Sequence, residues 1–318
     1  MRIGLDVMGG DKAPDATLGG AILSIPYLHN EDVIVLFGDE TVITDYLRSH
    51  NADMTRFEIV NCSQVIDMSE HPTRALGQKP DSTTVVGFQY LKDKQIDAFA
   101  SAGNSGAMLV GAVQSVGLID NVLRPCASVV IPQENGSFTM LLDVGTTPDS
   151  KPENLLQFAI IGSTFMKHLY NIDNPIVKLL NIGSENEKGS ILYQNSYKLL
   201  KQSEDINFCG NIESRDVLRD KADVIVCDGF TGNIVLKLIE SFYYLLSKRD
   251  KLDDFFSKLN YEKFGGTPIL GVKGNVMIGH GISSEDAICN MIINCERIHQ
   301  SNYIEKSKLI LNNFKPIN

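Results

Sequence analysis

Cysteine is scarce and unpatterned in this 318-residue chain: six residues, at positions 62, 126, 209, 227, 289 and 295, with no CxxC pair. That argues against a zinc or disulfide framework and points to buried thiols in a reducing compartment. Histidine is as sparse, six residues without HxH or HxxxH spacing. No metal site and no cofactor is expected. No apolar run approaches the roughly 18 residues of a membrane-spanning helix. The start, Met1-Arg2-Ile3-Gly4-Leu5-Asp6, turns acidic too early for a signal peptide, so the expected location is the cytoplasm. Basic residues are outnumbered 29 to 39, a net charge of −10. Without a basic, aromatic-studded stretch, nucleic acid is a poor partner. An acidic protein partner would need a local basic patch.

Several catalytic signatures are missing too. No GxGxxG follows a strand and no GxxxxGK[ST] occurs, which argues against a dinucleotide fingerprint and a P-loop. There is no GxSxG elbow, and no cysteine sits in an evident nucleophile loop. The chemistry expected is one without an enzyme-bound covalent intermediate.

What is present is an alternation of apolar, β-branched runs with helical stretches. Strands are expected at Ile3–Val7, Val33–Gly38, Phe57–Val60, Ala98–Ser101, Ser128–Ile131, Thr139–Val144, Ile176–Ile182 and Val224–Cys227. Most are continuous apolar runs, as in strands covered on both faces. Helices are expected at Pro14–Leu28, Thr41–His50, Ser82–Asp93, Gly106–Val116, Pro152–Tyr170, Gly189–Gln202, Gly232–Lys248 and Glu285–Leu311. The alternation predicts an α/β fold, an open and mostly parallel sheet. Composition, 43% hydrophobic and 21% charged, is ordinary for a globular chain. No hydrophilic linker parts the chain, which reads as a single α/β domain over 1–318 with a protruding helical hairpin at 234–264. The hairpin's apolar surface suits packing on the body or a second subunit; a membrane surface is the sharper reading.

Ligands of such sheets bind beyond the carboxyl ends of the strands. Here several strands run into glycine-bearing junctions: Asp6–Asp11, Ala102–Gly106, Gly145–Thr147, Gly183–Asn186 and Asp228–Asn233. Glycine lets backbone N–H groups approach an anion, and a following helix adds its dipole. One such junction is often only a turn, whereas four or five on one sheet edge predict a shared phosphate pocket.

At these junctions the sequence resembles the bacterial phosphate acyltransferase (PlsX) family nearly end to end. The matching segments are Asp6-Val7-Met8-Gly9-Gly10-Asp11 with Pro14, Ser101-Ala102-Gly103-Asn104-Ser105-Gly106-Ala107, and Asp143-Val144-Gly145. Next come Lys151-Pro152-Glu153, Leu155 to Ala159, Leu180-Asn181-Ile182-Gly183 and Gly210-Asn211-Ile212-Glu213. Asp228-Gly229-Phe230-Thr231-Gly232-Asn233, Gly265-Gly266 and Gly279-His280-Gly281 complete the ordered set. Departures from the family pattern are Thr147, Ser105 and Ile282, Gly77 and Pro80 at commonly basic places, and a shorter hairpin.

The resemblance implies a Rossmann-like three-layer fold related to the isocitrate/isopropylmalate dehydrogenase and phosphotransacetylase folds, in a homodimer. It implies transfer of a fatty acyl group from acyl-acyl carrier protein to inorganic phosphate. The acyl phosphate would feed phospholipid synthesis through a membrane glycerol-3-phosphate acyltransferase, with possible peripheral membrane contact. On that reading Gly103, Asn104, Ser105, Gly106, Gly229, Thr231 and Gly232 hold phosphate. Lys188, Asn104, Asn233 and His280 are the catalytic candidates, as oxyanion donors or as the acid for the leaving thiolate. Arg74, Lys79 and Arg124 are the carrier-protein candidates. Plainer roles stand beside these: helix capping for Asn104 and Asn233, solvated charge for Lys188 and the basic trio, a structural hydrogen bond for His280. Asp6, Asp143 and Asp228 read as loop braces, because a bare carboxylate would repel phosphate. Competing functions are a short-chain phosphotransacetylase, a decarboxylating dehydrogenase whose acidic cluster is not assembled, and a non-catalytic scaffold.

Overall fold

The computed structural model describes residues 1–312 and 314. The chain divides into two compact units, one of Met1–Gly117 with Tyr261–Gln300, the other of Leu118–Asn260 with the segment from Ser301 onward. In chain order the first unit opens with β1 (Arg2–Asp6), α1 (Asp15–Ser24), β2 (Val33–Gly38), α2 (Glu40–Ser49) and β3 (Phe57–Asn61). It continues with α3 (Pro72–Gln78), α4 (Thr83–Lys92), β4 (Ala98–Ser101) and α5 (Ser105–Gly111). The second unit contributes β5 (Cys126–Pro132), β6 (Phe138–Leu142), α6 (Pro152–Leu169), β7 (Ile176–Asn181), α7 (Ile191–Gln202), β8 (Asn207–Glu213), β9 (Val224–Val226) and α8 (Gly229–Ser247). The chain returns to the first unit as β10 (Thr267–Leu270), β11 (Asn275–Ile278) and α9 (Glu285–Gln300), and ends in the second with α10 (Tyr303–Leu311).

Strands of the first unit lie in the order β3-β2-β1-β4-β11-β10, all parallel except the β10–β11 pair. Those of the second follow β5-β6-β9-β7-β8, all parallel except β5–β6. This is the expected Rossmann-like, mostly parallel α/β sheet. The apolar runs explain it. β1, β2 and β4 are almost wholly buried, and Phe99 makes edge-to-face contacts with Phe37 and Phe88 at 5.8 and 5.1 Å between centroids. In the second unit Leu141, Val144, Ile225, Leu236 and Ile239 form a buried cluster, with Tyr243, Phe255 and Phe256 packed against it.

Three strands and the short helix α3 escape sequence reading, and one expected helix is divided in two. β8 carries Asn, Gly and Cys instead of an apolar run and is partly exposed. β10 and β11 are four residues each, and Pro268 lies within β10. The helix expected over Glu285–Leu311 is two helices, broken where Asn302 takes a left-handed φ of 53°. The first arm of the expected hairpin is present as α8, already helical from Gly229. Its second arm is not a helix: Phe256–Leu259 and Tyr261–Lys263 are short 3-10 turns. Asp250, at φ 51°, ends the helical run. Of the cysteines, five are buried and Cys209 is exposed. No helix among the described residues is long and apolar enough to cross a membrane.

One polar pair in the first unit is tied to pH. Glu296 of α9 is buried, its Oε1 accepts the His29 N–H at 3.2 Å, and its carboxyl is hydrogen-bonded to that of buried Asp32. The Met1 ammonium lies 2.6 Å from Asp32 Oδ1. Burial, then the neighbouring carboxyl, pushes the Glu296 carboxyl up. A carboxyl raised in the folded state stabilises at low pH, and that contribution is lost as pH rises through the folded value. Glu296→Gln keeps both hydrogen-bonding roles without the charge. It should raise the melting temperature at pH 8 by about 2–4 °C, the shift for about 1 kcal/mol in a chain of this size. The gain should vanish at pH 4 in the same thermal scans.

Candidate active site

In the first unit the register sets Leu5 of β1 opposite Ala100 of β4, so Asp6 and Ser101 come level at the strand ends. Asp6 Oδ2 accepts the Ser101 hydroxyl at 2.7 Å and Oδ1 accepts the Met8 N–H at 3.1 Å. Ser101 Oγ in turn accepts the Gly103 N–H at 3.0 Å. Burial pushes the Asp6 carboxyl up, and these donors oppose the rise. Gly9 lies so close that a Cβ there would sit 2.7 Å from Asp6 Oδ2 and 2.8 Å from the Gly103 nitrogen. The third glycine segment joins through Gly279 N–H to Ser101 O at 2.8 Å and Asp11 N–H to Gly281 O at 2.7 Å. Asp6–Asp11, Ser101–Gly106 and Gly279–Gly281 therefore meet at one end of the first unit's sheet, with half-buried His280 among them.

Asn104 is the cap of α5. Its Oδ1 accepts the Ala107 N–H at 3.0 Å, and its Nδ2 donates to the carbonyls of Asp67, Met68 and Glu70 at 3.0, 3.3 and 2.9 Å. Both ends of the amide serve the fold, which favours capping over direct contact with a substrate. The N–H groups of Ser105 and Gly106, the first two helical residues, lack intrahelical acceptors by their position. Ser105 is exposed. The Pro72 ring packs on Gly106, 2.5 Å from where a Cβ would lie.

In the second unit Asp143, fully buried beyond the end of β6, is the centre of the corresponding junction. Its Oδ1 accepts the N–H groups of Ala127 (3.0 Å), Gly145 (3.3 Å) and Thr146 (3.2 Å) and the Thr146 hydroxyl (2.7 Å). Its Oδ2 accepts the Thr147 N–H at 2.6 Å. Burial pushes this carboxyl up, against those donors. Asp228 caps α8, accepting the Thr231 N–H at 2.9 Å and the Thr231 hydroxyl at 2.7 Å. The two junctions interlock: Gly229 N–H donates to Thr147 O at 3.0 Å, and a Cβ on Gly232 would fall on the Asp143 carbonyl oxygen. Asn233 is exposed beside Gly145.

Tyr193 has no motif around it, and nothing in the sequence marks it. Its hydroxyl donates to Asp228 Oδ2, and burial is the first cause that keeps its proton on. Only the fold brings the first turn of α7 to this junction. Lys188 is half exposed in the neighbouring loop, with Nζ 3.9 Å from Glu185 Oε1 and its stem beside Gly183. Of the basic trio, Arg74 and Arg124 are exposed, whereas Lys79 donates to Val65 O at 2.7 Å and Glu70 Oε2 at 2.6 Å. Burial pushes the thiols of Cys62 and Cys295 up to about 12 and those of Cys126 and Cys227 well above the usual thiol range, so none of these four is a ready nucleophile.

The family described as "Fatty acid synthesis protein" matches residues 1–306. The "Phosphate acyltransferase" of Caldicellulosiruptor saccharolyticus is 40% identical, with 97% of each chain covered. That of Syntrophomonas wolfei is 39% identical, with 98% of each covered. The chain belongs to the phosphate acyltransferase family.

As a member it is an acyltransferase, acting on acyl groups and phosphate. Solved structures share the fold at low identity. A phosphotransacetylase from Streptococcus pyogenes superposes with a TM-score of 0.66 at 14% identity, over 96% of this chain and 94% of that one. A 4-hydroxythreonine-4-phosphate dehydrogenase from Burkholderia phymatum gives 0.53 at 13% identity, over 93% and 98%.

Three substitutions test this geometry. Gly232→Ala should lower stability by about 1–3 kcal/mol in urea titrations through overpacking. Gly77→Ala, where a Cβ meets nothing within 4 Å on α3, should be neutral or stabilising by up to about 1 kcal/mol. Tyr193→Phe removes one charge-assisted hydrogen bond from Asp228. It should lower stability by about 1.5–3 kcal/mol in the same urea titrations.

Proposed function

We propose that the protein transfers a fatty acyl group from acyl-acyl carrier protein to inorganic phosphate, giving acyl phosphate for phosphatidic acid synthesis. The observation that carries the reading is the saturation of the carboxylates at the strand ends. Asp143 and Asp228 are turned inward onto loop N–H and hydroxyl groups, so they brace the junctions instead of repelling a phosphate. Gly103 to Gly106 and Gly229 to Asn233 are the anion-holding segments of their respective units, with the open Ser105 and Gly106 N–H groups as donors.

With five of the six cysteines buried and none in a glycine junction, phosphate is itself the nucleophile. One of its oxygens attacks the thioester carbonyl carbon, and a tetrahedral oxyanion forms. Collapse of that oxyanion breaks the C–S bond, and the carrier thiolate leaves and takes up a proton. Holding both reactants in place supplies about 7–11 kcal/mol of barrier reduction. Each oxyanion donor adds roughly 3–4 kcal/mol. Asn233, exposed at the start of α8, is the side-chain candidate for that donor; Lys188 or His280 is the candidate proton source. Exposed Arg74 and Arg124 are the docking candidates for an acidic carrier protein. Cytoplasmic residence, a homodimer, peripheral membrane contact and delivery to a membrane glycerol-3-phosphate acyltransferase complete the reading and rest on the family resemblance.

The test is hydroxylamine trapping of acyl phosphate from hexadecanoyl-carrier protein or acetyl-CoA, with and without phosphate. Hydroxamate that requires phosphate and favours the carrier-bound donor is the expected result. Preference for acetyl-CoA would indicate a short-chain phosphotransacetylase, and no hydroxamate from either donor would end the enzymatic reading.

A further inference from the structure

The second unit shows large apolar side chains to solvent at the same strand ends that carry its anion junction. Ile182 is 82% exposed, Ile191 79% and Phe230 64%, far beyond what scattered surface apolar residues need. Their positions are linked. β7 and β9 are parallel neighbours with Leu179 opposite Val226, so Asn181, just before Ile182, comes level with Asp228. Ile191 opens α7 two residues before Tyr193, whose hydroxyl reaches Asp228. Phe230 lies in the first turn of α8.

From Phe230 the exposure continues along one face of that helix. Ile234, Leu238 and Leu245 are each more than half exposed, at spacings of four, four and seven, which keep to one stripe. At 1.5 Å per residue the stripe runs about 22 Å, comparable with an extended long-chain acyl group. Its near end is the anion junction; its far end meets Lys248, Arg249 and Lys251.

We propose that this stripe of α8, from Phe230 to Leu245, seats the fatty acyl chain of the donor, with Ile182 and Ile191 flanking the thioester end. The inference rests on the acyl-transfer reading above and adds chain-length selection to it. Continuity favours an acyl chain over other apolar occupants, because the apolar surface is broadest where the acyl head must sit and follows one line away from it. A chain too short to reach Leu238 gains nothing from the distal half.

The test compares kcat/KM for hexadecanoyl- and butyryl-carrier protein in the wild type and in Leu238→Asn/Leu245→Asn. Each methylene removed from an apolar contact costs about fourfold in affinity. The hexadecanoyl-to-butyryl ratio should therefore fall at least about tenfold in the variant. Molar mass by light scattering and binding to phosphatidylglycerol vesicles are recorded on the same samples. An unchanged ratio overturns the proposal, and a loss of dimer mass or of vesicle binding alongside it would name a second copy or a lipid surface as the occupant. Independently, a hexadecanoyl donor with a terminal diazirine should label the α8 peptide of the wild type; labelling confined elsewhere overturns the proposal without any variant. Failure of the parent reading looks different: the wild type would then make no acyl phosphate from either donor.

Discussion

A carboxylate buried at the end of a strand and saturated by the loop that follows it is the constraint around which each unit is organised. Asp143 shows it most fully, with five donors drawn from Ala127, Gly145, Thr146 and Thr147. An isolated buried charge is very costly, and several hydrogen bonds are what make one tolerable. The loop must therefore wrap tightly around the oxygens. That wrapping demands glycine where another strand of backbone passes, as at Gly232 over the Asp143 carbonyl. In the first unit the same logic runs through Asp6, Ser101 and Gly9, with fewer donors and a hydroxyl as intermediary.

This arrangement answers an electrostatic problem. On the proposed function, bare aspartates at these strand ends would repel phosphate unless their charge were already engaged. Turning Asp6, Asp143 and Asp228 inward engages that charge and rigidifies the junctions. Rigid donors matter more than numerous ones for acyl transfer, because a preorganised donor needs no reorganisation when the oxyanion forms. Tyr193 extends the brace on Asp228 by one side chain. Asn104 performs the matching task for α5, tying the helix start to the carbonyls of Asp67, Met68 and Glu70.

The helix after Asp228 carries a second kind of design. Leu236 and Ile239 are buried in the second unit's core, while Ile234, Leu238 and Leu245 face outward. A helix apolar on two faces, one of them unpartnered within the chain, is placed to receive something apolar from outside. On the proposed reading, its origin at the Asp228 junction would join a polar head site to an apolar track, as a fatty acyl thioester requires.

Much of this was legible in the residues alone. The buried parallel strands announced themselves as continuous apolar runs, because a strand covered on both faces has no polar side to show. The glycine junctions were legible because close backbone approach excludes a side chain, and the ordered set of them identified the family. Strands β8, β10 and β11 were not legible, since short or polar strands are stabilised by neighbours in the sheet and not by their own composition. The break at Asn302 and the loss of the second hairpin arm also depended on context, for helical periodicity persists across both. The roles of single side chains lay furthest from reach. Residue type allowed Asn104 to be either a cap or an oxyanion donor, and Lys79 to be either a docking cation or a strut. Only the tertiary structure gives both side chains their hydrogen-bond partners within the fold, because those partners are set by which distant segments fold against them.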